Sequence, residues 1–146
     1  MTAESNLFNP TREQVRDFFF DAWQKFGRQA PLTALEAMAV EIMNAHPEYH
    51  TLLSQRDKYV DRDYLPEHGD VNPFLHMSMH LSIREQVSID QPPGVEAAFT
   101  RLGTKFGNQM DAEHAMMDCL GEMIWHAQRH QTPPNPAIYL QCLSAK

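Results

Sequence analysis

Two histidines four residues apart, His76 and His80, are the residues whose types and spacing point most directly to chemistry. On a helix, residues with this spacing lie on one face with about 5–6 Å between their Cβ atoms. Two imidazole nitrogens at that separation can bind one cation at the usual zinc–nitrogen distance of about 2.0–2.1 Å. The spacing therefore predicts a divalent-metal site with His76 and His80 as its first ligands.

Candidates for the remaining ligands lie in two other segments. His46 ends the apolar stripe of segment 35–45, so we expect it to point inward. His114, Asp118 and Glu122 follow one another at four-residue intervals, so neighbouring members share a helix face. The site is expected to be completed either by His114 with a carboxylate, from Asp118 or Glu122, or by His46.

A ligand set of imidazoles and carboxylates suits zinc, iron, manganese or nickel. If the site is catalytic, the metal polarises a substrate or activates water, and Glu85 or Glu122 serves as the base. The sequence indicates no substrate. The alternative is a non-enzymatic structural or protein-interaction bundle without metal, whose core histidines are packed and hydrogen-bonded.

The other histidines have less specific interpretations. His68, His126 and His130 are interpreted as surface residues, and the role of His50 stays open. Protonation of all eight histidines would change the net charge from −7 to +1. Because histidine titrates between about pH 5 and 8, a pH sensor is a third interpretation.

Composition excludes several classes of protein. The chain has 146 residues, which is the length of one ordinary domain, so 1–146 is expected to fold as a single domain. Its net charge is negative and its 12 Lys and Arg residues are scattered, which disfavours nucleic acid as a partner. No apolar run approaches the roughly 20 residues that span a membrane. A homo-oligomer is left open.

The expected location is the cytoplasm, because residues 1–10 carry no signal-peptide pattern. The two cysteines, Cys119 and Cys142, form no CxxC motif and suggest neither a disulfide framework nor a zinc ribbon. Cys119 is interpreted as a buried, inert thiol.

These site residues need helices to position them. Apolar residues at helical spacing predict helices over about 11–26, 35–45, 73–87, 95–106 and 111–130, with a short helix over 137–143. Segment 57–70 is predicted to be a surface loop. No segment alternates with the period of a strand, so the expected fold is all-α: a helical bundle of four to five main helices plus a short C-terminal helix.

Capping signals support several of these helix starts. Asn9 and Asn72 each precede a proline, as a cap precedes a first-turn proline. Thr33 and Glu36 have the spacing of a capping box. The cap before residue 73 would set the register of the helix that carries the histidine pair.

Three motifs carry a resemblance to a known family: HPEYH at 46–50, NPFLHxxxH at 72–80 and LGEMIWxxQR at 120–129. Together they resemble a bacterial domain-of-unknown-function family of uncharacterised proteins of about this length. The resemblance covers nearly the whole chain and implies a compact bacterial protein, without an activity to carry over. More loosely, the His-x-x-x-His pair with a histidine on another helix looks like the three-histidine site of DinB-like bundles.

Overall fold

The computed structural model describes residues 11–65, 69 and 71–146. Within these residues the protein has eight α-helices, one 3₁₀ turn and no strand. This confirms the predicted all-α class. In the same residues no helix is long and apolar enough to cross a membrane.

Contacts between Cα atoms divide the chain into two compact units, Met1–Ser78 and Met79–Lys146. The first unit contains α1 (Arg12–Gly27), α2 (Ala34–Asn44), a 3₁₀ turn (Pro47–Tyr49), α3 (His50–Leu53) and α4 (Arg56–Tyr59). Helix α5 (Pro73–Ile89) begins in the first unit and continues into the second. The second unit adds α6 (Val95–Phe106), α7 (Gln109–His130) and α8 (Pro136–Ser144). Folding as one domain stays a prediction.

The main helices match the sequence prediction, the 3₁₀ turn and the short helix α3 were not among the predicted helices, and segment 57–70 differs from its prediction. That segment was predicted to be a loop, which is wrong for its start, because α4 extends to Tyr59. The Val60 N–H closes this turn by donating to the carbonyl of Arg56 at 2.8 Å. Residues 66–68 and 70 of this segment lie outside the described part of the chain.

Side chains cap the helices that carry the first unit. The capping box predicted for α2 is confirmed: Thr33 Oγ1 accepts from the Glu36 N–H, and the Glu36 carboxylate accepts from the Thr33 N–H. Helix α1 has an equivalent box between Thr11 and Gln14. The predicted cap at Asn9 lies outside the described residues.

The start of α5 follows the sequence prediction. The Oδ1 atom of Asn72 accepts from the N–H groups of Phe74 and Leu75 at 3.0 and 3.1 Å. Pro73 lacks an N–H and occupies the first turn, where no donor is needed. This cap fixes where the helical turns of α5 begin, and with them the positions of its histidines.

Arg16 organises the first unit from within. Its side chain is buried, and its Nη1 atom donates to three backbone carbonyls, those of Tyr59, Val60 and Arg62. The guanidinium therefore ties the chain after α4 to α1. The apolar core around this tie comes mainly from α1 and α2, through Phe19, Phe20, Ala22, Ala39, Val40, Ile42 and Met43.

The second unit is built around α7, its longest helix, which packs against α6 and α8. Its buried cluster consists of Ile83, Val95, Leu102, Ala112, Met116, Cys119, Leu120, Tyr139 and Leu143. The hydroxyl of Tyr139 donates to Gln86 at 2.8 Å, and burial raises the pKa of Tyr139 well above its ordinary value. This bond joins α8 to α5.

Cys119 and Cys142 form a disulfide across this core, with their Cα atoms 5.5 Å apart. The prediction of a free thiol at Cys119 is therefore wrong. The two residues are 23 positions apart and belong to no motif, so spacing carries no signal for the bond. They meet because α8 folds back against α7.

Candidate metal centre

In the first unit, His46 and His76 face each other. His46 follows α2 and is buried, as predicted. Its Nδ1 atom lies 2.7 Å from the carbonyl oxygen of Ile42. Because a carbonyl only accepts, Nδ1 carries the proton and Nε2 of the neutral ring presents a lone pair. That Nε2 lies 3.1 Å from Nε2 of His76.

The distance between these two nitrogens has two chemical explanations. Two ligands of one tetrahedral ion, each about 2.0–2.1 Å from it, are separated by about 3.3 Å. The observed 3.1 Å between the Nε2 atoms of His46 and His76 is close to that value. The same distance also suits a hydrogen bond in which His76 donates to His46. The arrangement thus fits either a shared ion or a metal-free histidine pair.

Tyr49 covers this pair of imidazoles. Its ring stacks on His46, with centroids 5.3 Å apart and planes 2° apart, and meets His76 edge-on at 6.2 Å. Burial, and secondarily the nearby Glu48 carboxylate, raises the pKa of Tyr49 above its ordinary value. Tyr49 therefore remains a neutral phenol and contributes an apolar wall to the pair.

His50 has a different role from its neighbour in the HPEYH motif. Its Nε2 atom donates to the carbonyl of Met43 at 2.8 Å, and its ring packs on Trp23 with centroids 4.6 Å apart. These contacts explain His50 as a packing residue of the first unit.

In the second unit, His80 is buried against a carboxylate. Its Nδ1 atom lies 2.8 Å from Oε1 of Glu113, and both side chains are at most 1% exposed. Arg84, one turn further along α5, brings its Nε to 3.1 and 3.2 Å from the two Glu113 oxygens. The guanidinium supplies the opposite charge that a buried carboxylate needs.

This arrangement fixes the orientation and the tautomer of the His80 ring. A carboxylate that accepts the Nδ1 proton fixes the tautomer in which Nε2 carries the lone pair, as in the carboxylate–histidine–metal groups of many metal sites. The ring of His114 lies against His80, with centroids 4.7 Å apart and planes at 65°. Helix α7 thus brings two consecutive residues, Glu113 and His114, to His80.

Helix α5 carries one histidine of each group. Because it is continuous from Pro73 to Ile89, His76 and His80 lie about one turn apart on it, as the sequence predicts. His76 belongs to the group with His46, and His80 belongs to the group with Glu113 and His114.

The predicted carboxylates lie in exposed positions. The side chain of Asp118 is 76% exposed and accepts from Lys146 at 3.3 Å. Glu122 and Glu85 are also exposed. Their roles as ligand or base stay predictions, and His68 lies outside the described residues.

Sequence reasoning missed Glu113 and Arg84. Two signals point to them in retrospect. Glu113 falls on the apolar stripe of α7, three residues before Met116 and seven before Leu120, where an acid has to be compensated. Arg84 follows His80 by four residues, so both face the same neighbour.

Comparison with known proteins gives one match. A family model described as Domain of unknown function (DUF1841) matches residues 11–145. Neither a curated protein nor a solved structure matches the chain.

Proposed function

We propose that this chain, which belongs to the family described as Domain of unknown function (DUF1841), binds one divalent metal ion at His76 and His80, the histidine pair of α5, with His46 and His114 as candidates for further ligands. Each of these histidines offers one ring nitrogen as a ligand. The observation that carries the proposal is the 3.1 Å separation of the His46 and His76 Nε2 atoms. That separation is close to the spacing of two ligands on one ion.

The protonation states of the rings support the proposal. In His46 and His80, Nδ1 faces an acceptor, so Nε2 holds the lone pair that binds metal. Helix α5 offers His76 and His80 as a two-point chelate. Within the first unit His46 lies beside His76, and within the second His114 lies beside His80, so each is a candidate for a further ligand. Metal binding thus needs no change of tautomer at the two buried rings.

The ligand chemistry narrows the choice of metal. Imidazole suits zinc, iron and nickel, whereas manganese prefers carboxylates. Four bound imidazoles would form a closed, structural site. If His114, which is partly exposed, exchanges with water, three imidazoles and an open position remain, which is the arrangement of a catalytic site. Only the site with an open position could bind a substrate and use a base. Glu85 and Glu122 are the sequence candidates for that base.

The alternative is a metal-free protein that acts through its surface. It is favoured by the same short distance, which a hydrogen bond between His46 and His76 explains equally well.

We also propose a cytoplasmic location and the absence of a nucleic-acid partner. The negative net charge supports the absence of nucleic acid, whereas the disulfide weighs against a reducing compartment.

Elemental mass spectrometry of the purified protein tests the proposal. The wild type, loaded with zinc, iron or nickel and desalted, is expected to retain one ion per chain. The double variant His76→Ala/His80→Ala is expected to lose it. Zinc at about 100 times its Kd should raise the unfolding free energy of the wild type by about 2.7 kcal/mol and leave the double variant unchanged.

Single variants test the composition of the site. His46→Ala and His114→Ala should each weaken zinc binding, because each removes one ligand from the same ion. His50→Gln is the matched control and should retain the ion, since the described contacts of His50 are its packing on Trp23 and its hydrogen bond to the Met43 carbonyl. A wild type that retains no ion and gains no stability from any of the three metals would overturn the proposal.

A further inference from the structure

A second pair of histidines lies at the end of α7. His126 and His130 are four residues apart on its last turns, and their ring centroids are 4.4 Å apart with planes at 47°. His126 is partly exposed and His130 is exposed. In the part of the chain that the structure describes, neither ring takes part in a hydrogen bond. The two rings are thus held side by side at the surface by the helix alone.

We propose that His126 and His130 form a second, exposed binding site for a late first-row divalent cation such as Cu²⁺, Ni²⁺ or Zn²⁺. Two imidazoles bound to one ion have their centroids about 5 Å apart, given metal–nitrogen distances of about 2.0–2.1 Å. The observed 4.4 Å between the ring centroids is close to that value. The proposal is independent of the site on α5.

The surroundings favour a cation at this position. The carbonyl groups at the C-terminal end of a helix carry partial negative charge, and Glu122 lies one turn before His126. The guanidinium of Arg129 lies over the ring of Trp125, with its Cζ 5.2 Å from the ring centroid. Arg129, which lies between the two histidines in sequence, therefore has its guanidinium on the indole of Trp125.

The site differs in kind from the proposed buried one. It has two protein ligands, so water completes the coordination shell and the ion exchanges readily. Copper(II) should bind most tightly, because affinities of such sites rise along the first row to a maximum at copper. The ligand class is therefore a hydrated divalent ion.

Trp125 provides a direct readout, because it is adjacent to His126 and copper(II) quenches indole fluorescence at short range. The chain has two tryptophans, and a Trp23→Phe variant leaves Trp125 as the sole emitter. In this background, copper(II) chloride is titrated into the protein, into His126→Ala and into His130→Ala. Gln128→Ala, an exposed change on the same helix, is the control.

Quenching of Trp125 should occur in the parent and in Gln128→Ala at the same copper concentrations. Each histidine variant should need at least about tenfold more copper for the same quenching, because a two-point chelate becomes a single ligand. Failure of copper to quench Trp125, or curves that stay in place when either histidine is removed, would overturn the proposal. Neither result bears on the α5 site, because His76 and His80 are intact in every variant.

Discussion

In the first unit the Nδ1–H of His46 donates to a backbone carbonyl, whereas in the second the Nδ1–H of His80 donates to the carboxylate of Glu113. Both acceptors fix the orientation and the tautomer of their imidazole. Only the carboxylate adds a negative charge, which makes the ring a stronger donor to a metal. One imidazole is thus positioned by the fold of a helix end, and the other by an ion pair that mutation can remove.

The largest expected effect comes from removing the charge of Glu113. In Glu113→Gln an amide oxygen still accepts from His80, but the charge of Arg84 loses its buried counterion. We expect zinc affinity to fall by about 10–100-fold. The unfolding free energy should fall by up to about 3 kcal/mol, because the largely buried ion pair of Glu113 with Arg84 is broken. Zinc competition and urea unfolding measure the two effects.

Glu96→Gln is the control for this experiment, because Glu96 is an exposed glutamate of α6 and is not a candidate residue of the site. It should leave stability unchanged. If Glu113→Gln bound zinc as tightly as the wild type, the carboxylate would not make His80 a stronger metal donor than His46.

The second prediction concerns the disulfide, which only the second unit contains. Replacing Cys119 and Cys142 by serine opens a loop of 23 residues and should cost about 3 kcal/mol. Each unit contains one tryptophan, Trp23 in the first and Trp125 in the second. Single-tryptophan variants can therefore report urea unfolding of each unit.

We expect the serine substitutions to shift the Trp125 midpoint more than the Trp23 midpoint. Reduction of the wild-type protein by dithiothreitol should have the same effect. Equal shifts at both tryptophans would show that the two units unfold as one, and an unchanged Trp125 midpoint would contradict a stabilising disulfide.

The smallest expected effect is at Glu36, in the capping box of the first unit. The hydrogen bond from Lys25, followed by that from the Thr33 N–H, holds the pKa of Glu36 below its ordinary value of 4.5. A carboxyl whose pKa is lower in the folded state contributes stability above its unfolded pKa, and this contribution is lost as pH falls through the folded pKa. Glu36→Gln should therefore destabilise the protein slightly at pH 7.

Urea unfolding at pH 7 and at pH 3 checks this prediction. The difference between the wild type and Glu36→Gln should shrink as the pH is lowered from 7 to 3. A difference that instead grows on acidification would contradict the lowered pKa of Glu36.

The sequence predicts helices well where a side-chain signal begins or ends them. Asn72 before Pro73 sets the start of α5, and helical spacing then determines that His76 and His80 share a face. His46 was predicted to point inward because it continues an apolar stripe, and it is buried. These features depend on local geometry, which the order of residues determines.

The missed features depend on contacts between distant residues. Glu113 meets His80 across 33 positions, and Cys119 meets Cys142 across 23. Helix α4 follows from tertiary contacts as well, because Arg16 binds the carbonyls of Tyr59 and Val60 at its end. No periodicity within one segment contains this information.

The ion pair between Glu113 and Arg84 also has an evolutionary consequence. Because the buried carboxylate of Glu113 needs the guanidinium of Arg84 as its counterion, the residues at these two positions should covary across related chains. Relatives that lose the acid are expected to replace the arginine by a neutral residue in the same lineage. Such relatives would mark branches of the family in which the histidine at position 80 has been released from its anionic partner.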